Sequence, residues 1–90
     1  MRIDNFISDL GIIKRRTVAR ELAEGGHIKI NSTRAKPGHK VKVGDIIEIT
    51  GKSSLTIKVL KIPEGKSVSR DARAEYFEIL SRSGPVEFDL

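Results

Sequence analysis

Apolar side chains recur every three or four positions along the first 24 residues, and they fall into two short sets. The first set consists of Ile3, Phe6, Ile7 and Leu10. The second set consists of Val18, Ala19, Leu22 and Ala23. This spacing places each set on one face of an α-helix. We therefore predict a first helix that ends at Gly11 and a second helix from about residue 15 to residue 24, which ends at the Gly25–Gly26 pair.

After these glycines the apolar period changes to two, which is typical of a β-strand with one buried face. Ile28 and Ile30 begin this pattern, and a turn at residues 31–33 leads to a short extended segment that the sequence KPGHK interrupts. DIIEIT and LTIKVLKI, residues 45–50 and 55–62, predict two more strands on either side of a GKSS turn. The middle of the chain therefore predicts a small, twisted, mostly antiparallel sheet.

The last third of the chain returns to a helical pattern between residues 68 and 81. Its apolar positions are Val68, Ala72, Tyr76, Ile79 and Leu80. We predict a third helix there. The tail SGPVEFDL alternates like a strand, but Gly84–Pro85 and the chain end favour fraying, so both alternatives stay open. The predicted fold is α+β, with two N-terminal helices packed on the sheet and a C-terminal helix; residues 1–62 form the domain and residues 63–90 a helical extension with a tail.

Length and composition narrow the class of protein. Ninety residues correspond to one small domain, and 38% hydrophobic with 32% charged residues is ordinary for a globular protein. The chain has no cysteine, which removes disulfides and thiolate metal sites and fits a reducing compartment. MRIDNF lacks the apolar run of a signal peptide, and no stretch is long enough to cross a bilayer. We expect a cytoplasmic protein with no membrane partner.

Positive charge is concentrated in the first half of the chain. The net charge is +5, and residues 1–42 contain ten Lys or Arg against four Asp or Glu, whereas residues 43–90 contain seven against eight. Three consecutive cations, Lys14, Arg15 and Arg16, stand where the second helix begins. The unpaired N–H groups of a helix start already carry partial positive charge, so cations are unfavourable there and a phosphate is favourable. The sequence therefore predicts a polyanionic partner.

Further cations extend this predicted surface. Arg20 lies four residues after Arg16 and projects from the same side of the helix, opposite the small apolar face. Arg2 lies close to the start of the second helix if the two helices pack as a pair, and Lys29 and Lys36 extend the surface toward the sheet. Together they make a patch of about five to eight cations, enough to engage several phosphates. The alternative is a solvated basic face whose charges are screened by salt.

Aromatic and titratable residues argue against base stacking and against catalysis. Modules that stack single-stranded bases need exposed aromatic side chains on strands, and the predicted strands carry none, so the phosphate backbone and shape of folded RNA are the better ligand. His27 and His39, without cysteines or a carboxylate cluster, are an improbable metal site. Asp4, Glu21 and Glu24 are better explained as helix-surface or capping charges than as an acid–base pair. We expect no enzyme, metal or cofactor.

The first fifty residues resemble the S4 RNA-binding domain, first recognised in small-subunit ribosomal protein four. The motifs that carry the resemblance are Arg2-Ile3-Asp4, Lys14-Arg15-Arg16-Thr17, Ala19, Gly26, Ile28-Lys29-Ile30-Asn31 and Val41-Lys42-Val43-Gly44-Asp45. Two positions depart from the pattern: Arg15 stands where many members have a serine that caps the helix, and Ser32 where many have glycine in the tight turn. The resemblance implies an αL-type motif in which the basic face of the two helices grips structured RNA.

The small size of the chain resembles the stand-alone members of this family, the heat-shock ribosome-associated protein and its relative in ribosome-associated quality control. That resemblance implies binding to large-subunit ribosomal RNA with peptidyl-tRNA after stalled translation, by a monomer, with a quality-control protein factor as a further partner. It makes Arg2 and Arg16 the first choices for RNA contacts, followed by Lys14, Arg15, Thr17 and Arg20. Three alternatives stay open: a ribosome-assembly or tRNA chaperone, a protein-interaction module, and an accessory subunit of an enzyme.

Overall fold

Two short helices precede all of the strands in the computed structural model, which describes residues 1–51, 53–63 and 68–83. Helix α1 spans Ile3–Asp9 and helix α2 spans Arg16–Glu24. The apolar positions that predicted these helices are buried in both. The two N-terminal helices are therefore confirmed, each within a residue or two of its predicted bounds. Among the described residues, no helix is long and apolar enough to cross a membrane.

Five antiparallel strands form one sheet. They are β1 Ile28–Ile30, β2 Thr33–Arg34, β3 Ile46–Thr50, β4 Ser54–Val59 and β5 Phe77–Ser83. Their order across the sheet is β2-β1-β3-β4-β5, and every neighbouring pair is antiparallel. The predicted α+β class and antiparallel sheet are confirmed.

The predicted C-terminal helix over residues 68–81 is wrong. A short 3₁₀ helix, η1, spans Arg70–Glu75, and the chain then enters strand β5. Ala72 and Tyr76 do pack against the core, as the helical spacing required, but Ile79 lies opposite Ile57 in the β4–β5 register. Strand β5 forms hydrogen bonds with the backbone groups along the edge of β4. The spacing of apolar residues within the segment cannot predict this long-range pairing. The tail at residues 84–90 lies outside the described residues.

One apolar cluster joins the helices to the inner face of the sheet. Its largest fully buried members are Phe6, Ile3, Ile7, Ile13, Ile28, Ile47, Ile49, Ile57 and Val59. The strands show the alternation that their sequences predicted, with β1 burying Ile28 and Ile30 and exposing Lys29. Because these isoleucines face the cluster that contains both helices, Lys29 projects from the opposite face of the sheet.

The β1–β2 hairpin turns at Asn31 and Ser32, which both have positive φ, at 51° and 69°. Two-residue hairpins favour this backbone, and asparagine tolerates it much better than serine does. Asn31 compensates with two side-chain hydrogen bonds: its Oδ1 accepts from the Ile46 N–H at 3.0 Å, and its Nδ2 donates to Asp45 Oδ1 at 3.1 Å. The turn is thereby attached to the beginning of β3, which fixes the edge of the sheet beside α2.

Candidate RNA-binding surface

Helix α2 begins without a capping side chain. Its N-cap residue, Arg15, has an extended backbone with φ −107° and ψ 126° and makes no side-chain cap hydrogen bond, and the first turn contains no acidic residue. The side chains of Lys14, Arg15, Arg16 and Thr17 are all exposed. The first-turn N–H groups and three cations therefore face solvent together, an arrangement that favours an anion.

The cations at this helix start have no carboxylate partner in the part of the chain that the structure describes. The two ion pairs found there join Arg2 to Asp4 and Arg20 to Glu24. Lys14, Arg15 and Arg16 take part in neither pair, and their side chains donate no hydrogen bond to a described residue. Their charges are thus available to an external anion without the loss of an internal interaction.

Arg2 is held in place by a buried acid. Its Nε donates to Asp4 Oδ1 at 3.2 Å and its Nη2 to Asp4 Oδ2 at 3.1 Å, a two-point fork that fixes the plane of the guanidinium. The Asp4 side chain is 1% exposed and that of Arg2 47% exposed. Of the two interpretations of Asp4, a surface charge or a capping charge, the burial excludes the first. Its carboxylate accepts from the Asn5 N–H in the first turn at 2.8 Å, as a capping charge does, and also positions Arg2.

The N-terminal residues are tied to the loop between β2 and β3. Ile3 N–H donates to His39 O and Val41 N–H donates to Met1 O, both at 2.8 Å, which makes an isolated antiparallel bridge between Arg2 and Lys40. The Arg2 guanidinium lies over Gly38 in the same loop. The structure thus brings Arg2 beside this loop.

Arg20 differs from the cations at the start of α2. Its Nε donates to Glu24 Oε1 at 3.1 Å, one helical turn further on, and the two side chains are 64% and 53% exposed. An exposed pair of this kind contributes little to stability, about 0.3–0.5 kcal/mol, so it is readily exchanged for another anion. Arg20 therefore belongs to the same helix surface as Arg16 but is partly neutralised.

Lys36 and Lys29 are separated from the helix start. Lys36 borders a shallow cavity of about 370 Å³ at the other end of α2, and its lining residues are Ala23, Glu24, Arg34, Ala35, Lys36 and Pro37. A nine-residue helix is roughly 13 Å long, which is the distance between this end and the first turn. Lys29 lies on the other face of the sheet, between Arg34 and Glu48 on the neighbouring strands, so RNA that touches it must reach around the β2 edge.

Two arginines that the sequence analysis did not select lie against glycines next to the helix ends. Arg34 donates from Nη2 to Glu24 O at 2.7 Å and covers Gly26, whose φ is +80°. Arg73, in η1, covers Gly11, whose φ is +70°. A glycine at positive φ is visible in sequence as a helix stop, but the arginine beside it is not: Arg34 comes from the following hairpin and Arg73 from a distant segment.

Two helices pack on a five-stranded antiparallel sheet, and the start of the second helix carries exposed cations that pair with none of the described residues. These features define a small RNA-binding module. The chain belongs to the S4 domain family, which matches residues 1–47. This membership confirms the family that the motifs of the first fifty residues indicated.

Three relatives show how far the similarity extends. The RQC P-site tRNA stabilizing factor of Streptococcus pneumoniae (strain ATCC BAA-255 / R6) is 40% identical over 84 residues, which cover 92% of this chain and 93% of that protein. Heat Shock Protein 15 of Vibrio cholerae, known as a trimeric structure, superimposes with a TM-score of 0.80 at 27% identity over 90% of this chain and 82% of that one. The solution structure of HP1423 gives a TM-score of 0.78 at 33% identity over 90% and 98%.

Proposed function

We propose that this protein binds structured RNA of the large ribosomal subunit together with P-site peptidyl-tRNA, and stabilises that tRNA during quality control of stalled translation. It acts without catalysis, as a cytoplasmic monomer. The observation that carries the proposal is the start of α2, where the helix lacks a side-chain cap and three exposed cations make no ion pair with any described residue. The name of the Streptococcus pneumoniae relative, an RQC P-site tRNA stabilizing factor that matches nearly end to end, supports the choice of tRNA and pathway.

The proposed RNA contacts range from central contacts at the first turn of α2 to outer contacts farther from it. Arg16, Lys14 and Arg15 engage phosphates at the first turn of α2, and the Thr17 hydroxyl donates to a phosphate oxygen beside them. Arg2 presents the free edge of a guanidinium that Asp4 holds in a fixed plane, which suits a two-point contact. Arg20 exchanges Glu24 for RNA, and Lys36 and Lys29 are outer contacts reached only by an extended ligand.

The surface favours recognition by shape and charge over base sequence. None of the positions of β1 to β4 that are exposed or half-buried offers a stacking ring; they carry Lys29, Thr33, Arg34, Ile46, Glu48, Thr50, Ser54, Thr56 and Lys58. Phe6 is fully buried and Phe77 packs against the core. A protein of this kind binds folded RNA through phosphates, and its affinity therefore depends strongly on salt.

The proposal is tested by sedimentation of the protein with purified ribosomal particles. Arg16→Glu with Arg20→Glu reverses two charges on the proposed surface, and Lys61→Glu with Arg82→Glu makes the same change in net charge at exposed positions elsewhere. We expect the native chain and the control variant to sediment with large subunits that carry peptidyl-tRNA, and the first variant to stay at the top of the gradient. Cofractionation of the native chain with free small subunits, or with no ribosomal particle, contradicts the proposal.

A further inference from the structure

Arg73 lies directly against the loop that leads into helix α2. Gly11 begins this loop after α1 and has a φ of +70°. A Cβ atom at residue 11 would lie 2.9 Å from Arg73 Cζ, closer than Cβ atoms approach their neighbours in proteins, and 3.5 Å from Arg73 Nε, an ordinary contact distance. The guanidinium of Arg73 therefore lies in the space beside Gly11 that a side chain at residue 11 would enter, and this contact packs η1 onto the α1–α2 loop.

The guanidinium of Arg73 donates no hydrogen bond to a described residue. Its Nε is buried and has no hydrogen-bond partner, and neither of the ion pairs in the described part of the chain includes Arg73. Buried donors in folded proteins are nearly always paired, and guanidinium groups in particular are found with carboxylates or phosphates. Packing against Gly11 holds the buried Nε in place. The rest of the half-buried guanidinium makes no hydrogen bond or ion pair with a described residue, so its Nη groups are available to an external acceptor.

The position of Arg73 puts that acceptor next to the proposed RNA surface. Lys14 follows Gly11 by three residues, so their Cα atoms are separated by no more than about 11 Å. Because the Arg73 guanidinium contacts Gly11, it lies against the same short loop as Lys14, and its charge adds to the positive field there over a Debye length of about 8–10 Å. The contact thus adds a cation from the C-terminal third of the chain to the surface formed by the N-terminal half.

We propose that Arg73 is a further RNA-contacting residue, which donates from its Nη groups to a phosphate of the same RNA that Lys14, Arg15 and Arg16 bind. The inference rests on the proposed function, because it takes large-subunit RNA as the ligand. Gly11 then contributes to the site indirectly, because the absence of a side chain at this position leaves room for the Arg73 guanidinium. A role as a structural brace for the loop is the competing explanation, and it predicts a different response to salt.

The test measures binding of the full chain to purified large ribosomal subunits at several salt concentrations. Arg73→Gln should weaken binding about tenfold at low salt, and the slope of log K against log salt should become shallower by about one, since one phosphate contact is lost. Arg73→Lys keeps the charge and should keep the slope, with a smaller loss of affinity. Arg82→Gln, an exposed charge loss near the other end of β5, should bind within twofold of the native chain.

The outcomes separate the two hypotheses. If Arg16→Gln weakens binding while Arg73→Gln binds like the native chain, or binds more weakly with an unchanged slope, the inference about Arg73 is wrong and the proposed function stands. A native chain that does not bind large subunits overturns both. Should Arg73→Gln not fold, Gly11→Asn tests the same contact, because asparagine tolerates positive φ while its side chain displaces the guanidinium. Unchanged binding of this variant overturns the inference as well.

Discussion

At the scale of single residues, Arg2 and Asp4 connect stability with binding. The carboxylate of Asp4 is almost fully buried, and the Arg2 fork supplies two of the hydrogen bonds it accepts. A buried charge that loses its partner is costly, although the half-exposed position of Arg2 lets water replace part of the lost interaction. A change at Arg2 therefore alters the folded state as well as the RNA surface.

We predict that Arg2→Gln lowers the free energy of unfolding by about 1–3 kcal/mol, because it leaves the Asp4 carboxylate with a weaker, neutral donor. Thermal and urea unfolding of the purified chain measure this loss. RNA affinity should fall in the same variant for a separate reason, the loss of a cation.

A double variant separates the two effects. Arg2→Gln with Asp4→Asn removes both charges, so it should recover most of the lost stability while RNA affinity stays low. Recovery of RNA affinity along with stability would mean that Arg2 acts only on the fold.

At the scale of elements, helix α2 has a positively charged residue at its N-cap position in place of a residue that caps the helix. Arg15 occupies the N-cap position with no side-chain hydrogen bond to the helix, although serine at this position would provide one. The same helix places like charges at Arg16 and Arg20, which repel by a few tenths of a kcal/mol. Its stability therefore comes from the buried apolar face of Val18, Ala19, Leu22 and Ala23.

Arg15→Ser should raise the free energy of unfolding by about 0.5–1 kcal/mol, since it supplies the missing cap, and should weaken RNA binding severalfold. Chemical unfolding and binding to purified large subunits measure the two changes. Arg15→Ala is the matched control, because it removes the charge without adding a cap and should weaken binding with no gain in stability. A serine variant that binds RNA as well as the native chain would exclude Arg15 from the interface.

The helices and strands also show how much of the secondary structure can be predicted from the local spacing of apolar residues. Both helices and the strands β1, β3 and β4 were predicted from spacing, because each buries one face against the same core. Residues 68–81 misled the prediction because Val68, Ala72 and Tyr76 pack on the core as a helix would, while the following residues pair with β4. Pairing with a distant strand determines the secondary structure of such a segment, and a short stretch of sequence does not reveal that pairing.

The candidate site also contains a part that the sequence predicts and a part that only the folded structure reveals. Lys14, Arg15 and Arg16 are neighbours in sequence at a helix start, so their grouping could be predicted, although whether they contact RNA stays a prediction. The burial of Asp4 depends on the fork from Arg2 and on the loop packed beside it. The contact of Arg73 with Gly11 joins residues more than sixty positions apart, and only the folded chain reveals it.

At the scale of the whole molecule, the positive charge is concentrated in the N-terminal half, where residues 1–42 contain ten Lys or Arg and four acidic residues. This half supplies both helices and the strands β1 and β2. The second half supplies β3 to β5 with nearly balanced charge, and its strand β5 completes the sheet. The division of residues 1–62 from residues 63–90 stays a proposal, and the described part of the extension pairs directly with β4.

This charge distribution predicts opposite effects of salt on binding and on folding. The affinity for large subunits should fall with a log–log slope of about −3 to −6 as several phosphates release their counterions. The free energy of unfolding should stay constant or rise slightly, because salt screens the repulsion within α2. Titrations and urea unfolding over the same salt range measure both, and a flat binding response would leave the basic surface without a role.

The unpaired cations at the start of α2 also bear on how fast a complex forms. A lysine or arginine that is bound to an acid in the free protein must exchange that acid for the ligand, and the acid offsets part of its attraction for an anion. Lys14, Arg15 and Arg16 have no such bond within the described residues. Capture should then be limited by diffusion in an attractive field.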